Sequence, residues 1–138
     1  MSDDAENDAD SAGLDTDRIT ALLEDWYQQS LFASLDHHGL VETMVQTRGA
    51  NDAREVAQAL RGLSPGEQPS LWNCLPELDV PTLVLTGALD DKYCNITERT
   101  AEHIPAARHV VVPDAGHNVH AERPQAYLAH LGRFVDET

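Results

Sequence analysis

Two residues of this 138-residue chain have the type and the setting for proton-transfer chemistry, Asp90 and His117. Asp90 lies in Gly87-Ala88-Leu89-Asp90-Asp91-Lys92, just past one apolar run, and His117 lies in Pro113-Asp114-Ala115-Gly116-His117-Asn118, just past another. A carboxylate that accepts one imidazole N–H fixes the ring's tautomer and stabilises the imidazolium, which leaves the second nitrogen free to act as a base. Such a base needs a group to activate. The elbow pattern Gly-x-Ser-x-Gly occurs once, as Gly62-Leu63-Ser64-Pro65-Gly66. It follows a helical stretch where an elbow follows a strand, and Pro65 has no N–H to offer an oxyanion. The other serines (Ser2, Ser11, Ser30, Ser34 and Ser70) lack any elbow context, and Cys94, four residues beyond Asp90, is poorly placed as a nucleophile.

Other chemistries are weaker. His117-x-x-His120 has the look of a metal pair, but no third ligand accompanies it and a loop need not put both rings on one side. His37, His38, His103, His109 and His130 read as surface residues. No glycine-rich phosphate loop is present, and Cys74 and Cys94 are too few for a disulfide framework or a zinc site. No metal and no cofactor are expected.

The elements that must position the pair follow from patterning. Residues 1–17 hold seven acidic residues and no basic one, a composition that cannot bury enough apolar surface to order itself, so a disordered tail is expected there. Residues 18–68 read as short helices. Asp15-Thr16-Asp17 offers a cap for a helix carrying Ile19, Leu22, Leu23 and Trp26. Leu31, Phe32 and Leu35 form a second cluster, His37 to Arg48 a third helical stretch, and Asn51 or Asp52 caps a fourth through Val56, Ala59 and Leu60.

Residues 69–138 differ in character. Val80 to Gly87 and Arg108 to Val112 are unbroken apolar and β-branched runs, the mark of strands buried on both faces in a parallel sheet. Thr97 to Ile104 reads as a helix, and Pro124 opens a last one through Tyr127, Leu128, Leu131, Phe134 and Val135. The result is β-α-β-α, the repeating unit of a doubly wound α/β sheet. In such sheets functional groups gather beyond the carboxyl ends of the strands, where Asp90 and His117 both stand. Two strands of this kind need neighbours, so poor solubility or self-association of the chain alone is expected.

The order strand-Gly-x-x-Asp, helix, strand, Ala-Gly-His, then Glu122-x-Pro124 resembles the C-terminal half of α/β-hydrolase fold proteins. Ala115-Gly116-His117-Asn118-Val119-His120, together with Trp26-Tyr27-Gln28-Gln29 and Leu31-Phe32-Ala33-Ser34-Leu35, resembles the 2-succinyl-6-hydroxy-2,4-cyclohexadiene-1-carboxylate synthases, lyases of menaquinone biosynthesis. The resemblance runs from about Glu24 to Phe134. It implies a partial α/β-hydrolase fold, with a helical cap segment followed by the two-strand unit. Asp90 would be the triad acid, His117 the triad base, Trp26 a lining residue of the substrate pocket and Arg48 a contact for substrate carboxylates. For Trp26 an aromatic of the cap's own core is an equal alternative, and for Arg48 a solvated helix end. A serine activated by His117 would take a proton from a cyclohexene substrate, and pyruvate would leave. That serine, with its oxyanion hole and most of the sheet, is not among these 138 residues. The chain alone is therefore expected to be inactive, and a complementary N-terminal half-protein is the expected partner. A fragment of an esterase or carbon–carbon hydrolase and a non-catalytic interaction module are the competing readings.

The charge narrows the partners. Nine Lys and Arg against 24 Asp and Glu give −15, and subtracting the seven tail charges still leaves −8. This speaks against nucleic acid and against an anionic membrane surface. It suits a high-salt cytoplasm and ordinary solubility equally well. No run approaches a membrane span and the N-terminus is acidic where a secretory signal would be basic, so a cytoplasmic location is expected.

Overall fold

In the computed structural model residues 16–138 are described, so most of the expected acidic tail and the Asp15 part of its helix cap lie outside the described residues. The described chain forms two units, one of residues 16–29 and 41–69, the other of residues 30–40 and 70–138.

The first unit is helical, as its apolar spacing predicts. Helix α1 covers residues 16–26, α3 runs Val41–Gly49 and α4 runs Ala53–Leu63. Tyr27 and Val45 are buried, and Gly49 sits close enough to α1 that an added Cβ would touch Thr20 Oγ1 at 3.4 Å. Of the two expected caps for α4, Asp52 is the one used. Its Oδ1 accepts from the amides of Arg54 at 2.8 Å and Glu55 at 3.0 Å, two donors with no partner inside the helix. Ser64 ends that helix with extended backbone before a short 3-10 turn, Pro65–Glu67. The serine of the elbow-like string therefore follows a helix.

The second unit contains the sheet. Strand β1 is Thr82–Gly87 and β2 is Ala107–Val112, paired in parallel from Thr82 beside Ala107 to Gly87 beside Val112. Helix α5, Asp91–His103, connects them. After β2 come the single turn α6, Val119–Glu122, and helix α7, Pro124–Glu137. Because side chains alternate along a strand, Leu83, Leu85, Val110 and Val112 share a face. Tyr127, Leu131 and Phe134 of α7 line a groove of about 400 Å³ against Leu83 and Leu85, while Val112, Ala115 and Val119 form the buried centre with Leu85, Val110, Ala126 and Tyr127 around it. On the opposite face, Thr97 Oγ1 of α5 meets His109 Nε2 at 3.1 Å, so His109 is half-buried and bonded where a surface residue was expected.

Two features depart from the patterning. The strands are only half-buried along most of their length: among the described residues each pairs on one edge only, and two strands offer too little sheet to cover. Residues 30–40, expected to be part of the helical stretch of residues 18–68, pack in the strand-bearing unit. They form a 3-10 turn, Ser30–Phe32, and the short helix α2, Ala33–His37, in which Leu35 is completely buried. Gly39, at φ 67°, closes α2 in the left-handed conformation that glycine adopts without a Cβ penalty. No helix among the described residues is long and apolar enough to cross a membrane.

Candidate active site

Asp90 and His117 meet. Asp90 Oδ2 lies 2.7 Å from His117 Nδ1, and the two side chains are 3% and 30% exposed, so the acid is enclosed while the imidazole reaches the surface. The same carboxylate caps α5, its Oδ1 accepting from the Tyr93 amide at 3.2 Å. This explains why α5 begins at Asp91, well before the Thr97 expected from apolar spacing. With Nδ1 directed at a carboxylate, Nε2 is the nitrogen left to accept a proton. The ring is flanked by Tyr93, with centroids 4.6 Å apart, and by the edge of Phe32 at 5.9 Å.

The loops that carry the pair are bound to each other by the backbone. Ala88 N donates to Val112 O and Leu89 N to Ala115 O, both at 2.9 Å, and Asp90 N turns back to Gly87 O at 3.1 Å. Gly87 permits this approach, because a Cβ there would sit 2.3 Å from the carbonyl oxygens of Ala115 and Gly116. Asp114 holds the turn after β2 at φ 55°, a region Asp tolerates better than most residues. Arg123 secures that turn through an ion pair with the Asp114 carboxylate and an Nε–H bond to its carbonyl at 2.9 Å.

The sequence alone gives no role to the buried carboxylate behind the histidine. Glu122 has a side chain with 0% exposure. It accepts from Gly116 N at 3.2 Å to each oxygen and from Asn118 N at 3.1 Å, and its Oε1 is 3.8 Å from His38 Nε2. His38 is thus half-buried, with its Nε2 near Glu122 but outside hydrogen-bond range, where a surface residue was expected. The available signal was Glu122 itself, two positions before the helix-opening Pro124 and next to a loop whose amides need acceptors.

Trp26 and Arg48 lie in the helical unit. Trp26 ends α1 half-exposed, and the Arg48 guanidinium, in the last turn of α3, lies 5.8 Å from the centre of the Tyr27 ring, a cation–π distance. His120 faces Tyr127 at 6.2 Å while His117 faces Asp90, and no group of three metal-binding side chains occurs among the described residues.

Cys94 is not a substitute nucleophile. Its thiol donates to Gly87 O at 3.3 Å, and burial, then the negative charges of Asp90 and Asp91, push it above the ordinary thiol range. The thiolate is the reactive form. In timed alkylation near neutral pH read by mass spectrometry, exposed Cys74 is expected to react about tenfold or more faster than Cys94. Equal rates would show that Cys94 is open and ionised after all.

No protein-family model matches the chain. Among curated proteins it is 38% identical over 119 residues to the 2-succinyl-6-hydroxy-2,4-cyclohexadiene-1-carboxylate synthase of Serratia proteamaculans, covering 85% of this chain and 44% of that one. A Bacillus subtilis protein provisionally given the same name is 33% identical over 123 residues, covering 88% of this chain and 43% of its own length. Among solved structures, MenH from S. aureus superposes with a TM-score of 0.76 at 27% identity, over 96% of this chain and 54% of that one. The chain therefore has part of an α/β-hydrolase fold and resembles these synthases, and it spans less than half the length of the curated relatives it matches.

Proposed function

We propose that this chain supplies the acid and the base of a catalytic triad in a lyase that eliminates pyruvate to form 2-succinyl-6-hydroxy-2,4-cyclohexadiene-1-carboxylate, a step of menaquinone biosynthesis, in the cytoplasm. The observation that carries the reading is the 2.7 Å contact between Asp90 and the Nδ1 of a partly exposed His117, in a chain 38% identical, over 85% of its own residues, to 44% of such a synthase. In this reaction a serine oxygen, relieved of its proton by His117 Nε2, removes a ring proton. The electron pair of the broken C–H bond becomes a ring double bond as the bond to the pyruvate-forming group breaks, and that group leaves as pyruvate after gaining a proton. Asp90 keeps His117 in the tautomer that can accept the serine's proton and stabilises the imidazolium once it forms.

The serine comes from outside these 138 residues. Ser64 is unsuited, since it follows a helix and precedes a proline that has no amide for an oxyanion. We assign the nucleophile, its oxyanion hole and further strands to a complementary polypeptide that adds to the sheet. The unpaired outer edge of β1 among the described residues and the groove between β1 and α7 support this. Trp26 and Arg48 are assigned to the substrate, the arginine to one of its carboxylates.

The test is reconstitution. The chain is co-expressed with the portion of the Serratia synthase that it does not cover, and pyruvate is followed by a coupled assay. Turnover is expected from the pair and none above background from the chain alone. Cleavage of simple esters without pyruvate release would replace the lyase with an esterase, and turnover by the chain alone would overturn the division of the triad.

A further inference from the structure

Glu122 takes no part in the proton transfers above, yet its carboxylate is wholly enclosed. An ionised group costs a great deal in such a place unless hydrogen bonds compensate it. Its compensation is concentrated on one loop. The amides of Gly116 and Asn118 both donate to it, and these residues stand immediately before and after His117. One carboxylate thus holds the Ala115–Gly116 and His117–Asn118 peptides, which bracket the Gly116–His117 segment, and with them the direction in which the histidine side chain leaves the backbone. Residues 30–40 close the loop from the other side. An added Cβ on Gly116 would lie 1.8 Å from Ser34 Oγ, Phe32 meets the His117 ring edge-on, and His38 approaches the far oxygen of Glu122.

We infer that Glu122 is a positioning residue for His117. It holds the 116–118 backbone so that the imidazole meets Asp90, with Ser34 packed close against Gly116 of the same loop. A carboxylate can do this for two or three converging N–H donors at once, since it has acceptor capacity for about four. The inference rests on the reading of His117 as the base, but its test needs no turnover.

The test is nuclear magnetic resonance on the full chain. In the native protein the Gly116 and Asn118 amides are expected to exchange with solvent about 100-fold or more slower than in an unstructured peptide. Exchange at the peptide rate would overturn the inference, and this measurement requires no variant. Long-range ¹H–¹⁵N spectra then report the His117 tautomer. Glu122→Ala is expected to lose the Nδ1–H form that Asp90 selects, leaving a mixture of tautomers. Glu122→Gln, whose one carbonyl oxygen can still accept from both amides, is expected to keep most of it. An alanine variant with the native tautomer would overturn the inference, as would equal loss in both variants. Where the alanine variant does not fold, the native exchange rates and the glutamine variant decide. Failure of pyruvate release with these spectra as expected would count against the proposed function and leave the positioning role standing.

Discussion

Asp90→Asn lowers the turnover of the reconstituted enzyme by about 10⁴-fold while the chain melts within a few degrees of the native protein. Both halves of this expectation follow from what Asp90 touches. One oxygen caps α5 through the Tyr93 amide, and asparagine is as good a cap as aspartate because its carbonyl oxygen accepts equally well. The other oxygen accepts from His117 Nδ1. With the asparagine carbonyl committed to the cap, its NH₂ group faces Nδ1 and can only donate. His117 must then present a lone pair at Nδ1 and carry its proton on Nε2. The nitrogen that should take the serine's proton is already occupied, so the geometry survives and the base does not. Asp90→Ala would lose the cap as well, at about 1 kcal/mol, and leave the histidine without a fixed tautomer. Pyruvate release and thermal melts on the same samples check the expectation. Asparagine turnover within tenfold of native would mean that Asp90 serves α5 and not His117.

The meeting of Asp90 and His117 was legible in the sequence because each follows an apolar run within a few residues, and the strand-end rule needs nothing more local than that. The parallel pairing of Thr82–Gly87 with Ala107–Val112 was legible for the same reason. What escaped depends on distant contacts. Leu31, Phe32 and Leu35 have the spacing of a helix in either unit, and only packing against the histidine loop places them in the second. The start of α5 was missed because Asp91-Lys92-Tyr93-Cys94-Asn95 has little apolar period, and a cap made by a residue already assigned to catalysis does the work instead. Glu122 was visible as a residue but not as a buried one. A glutamate two positions before a proline reads as an ordinary helix approach until the amides of Gly116 and Asn118 are seen to have it as their acceptor. Strand burial was overestimated, because an apolar run shows which surface should be covered and not what covers it.

Gly87→Ala is expected to destabilise the strand-bearing unit by about 4 kcal/mol or more. Glycine is required here by crowding, since nothing marks its φ as left-handed. The Cβ of alanine would stand 2.3 Å from two carbonyl oxygens, those of Ala115 and Gly116, far inside any carbon–oxygen contact. A flexible side chain could swing away, but these are backbone atoms, and their loop is fixed by the bonds from Ala88 to Val112 and from Leu89 to Ala115. Relief requires the two strand ends to separate, which breaks those bonds and draws His117 away from Asp90. A stability defect and a site defect are therefore one event at this position. Gly62→Ala is the matched control: it lies in α4 with nothing within 4 Å of the added atom, and alanine in a helix is favoured over glycine by about 0.5–1 kcal/mol. Urea unfolding of the two variants should move in opposite directions from the native midpoint. If Gly87→Ala shifts that midpoint no further than Gly62→Ala, the two loops are not locked together, and the contact between Asp90 and His117 must be held by their side chains alone.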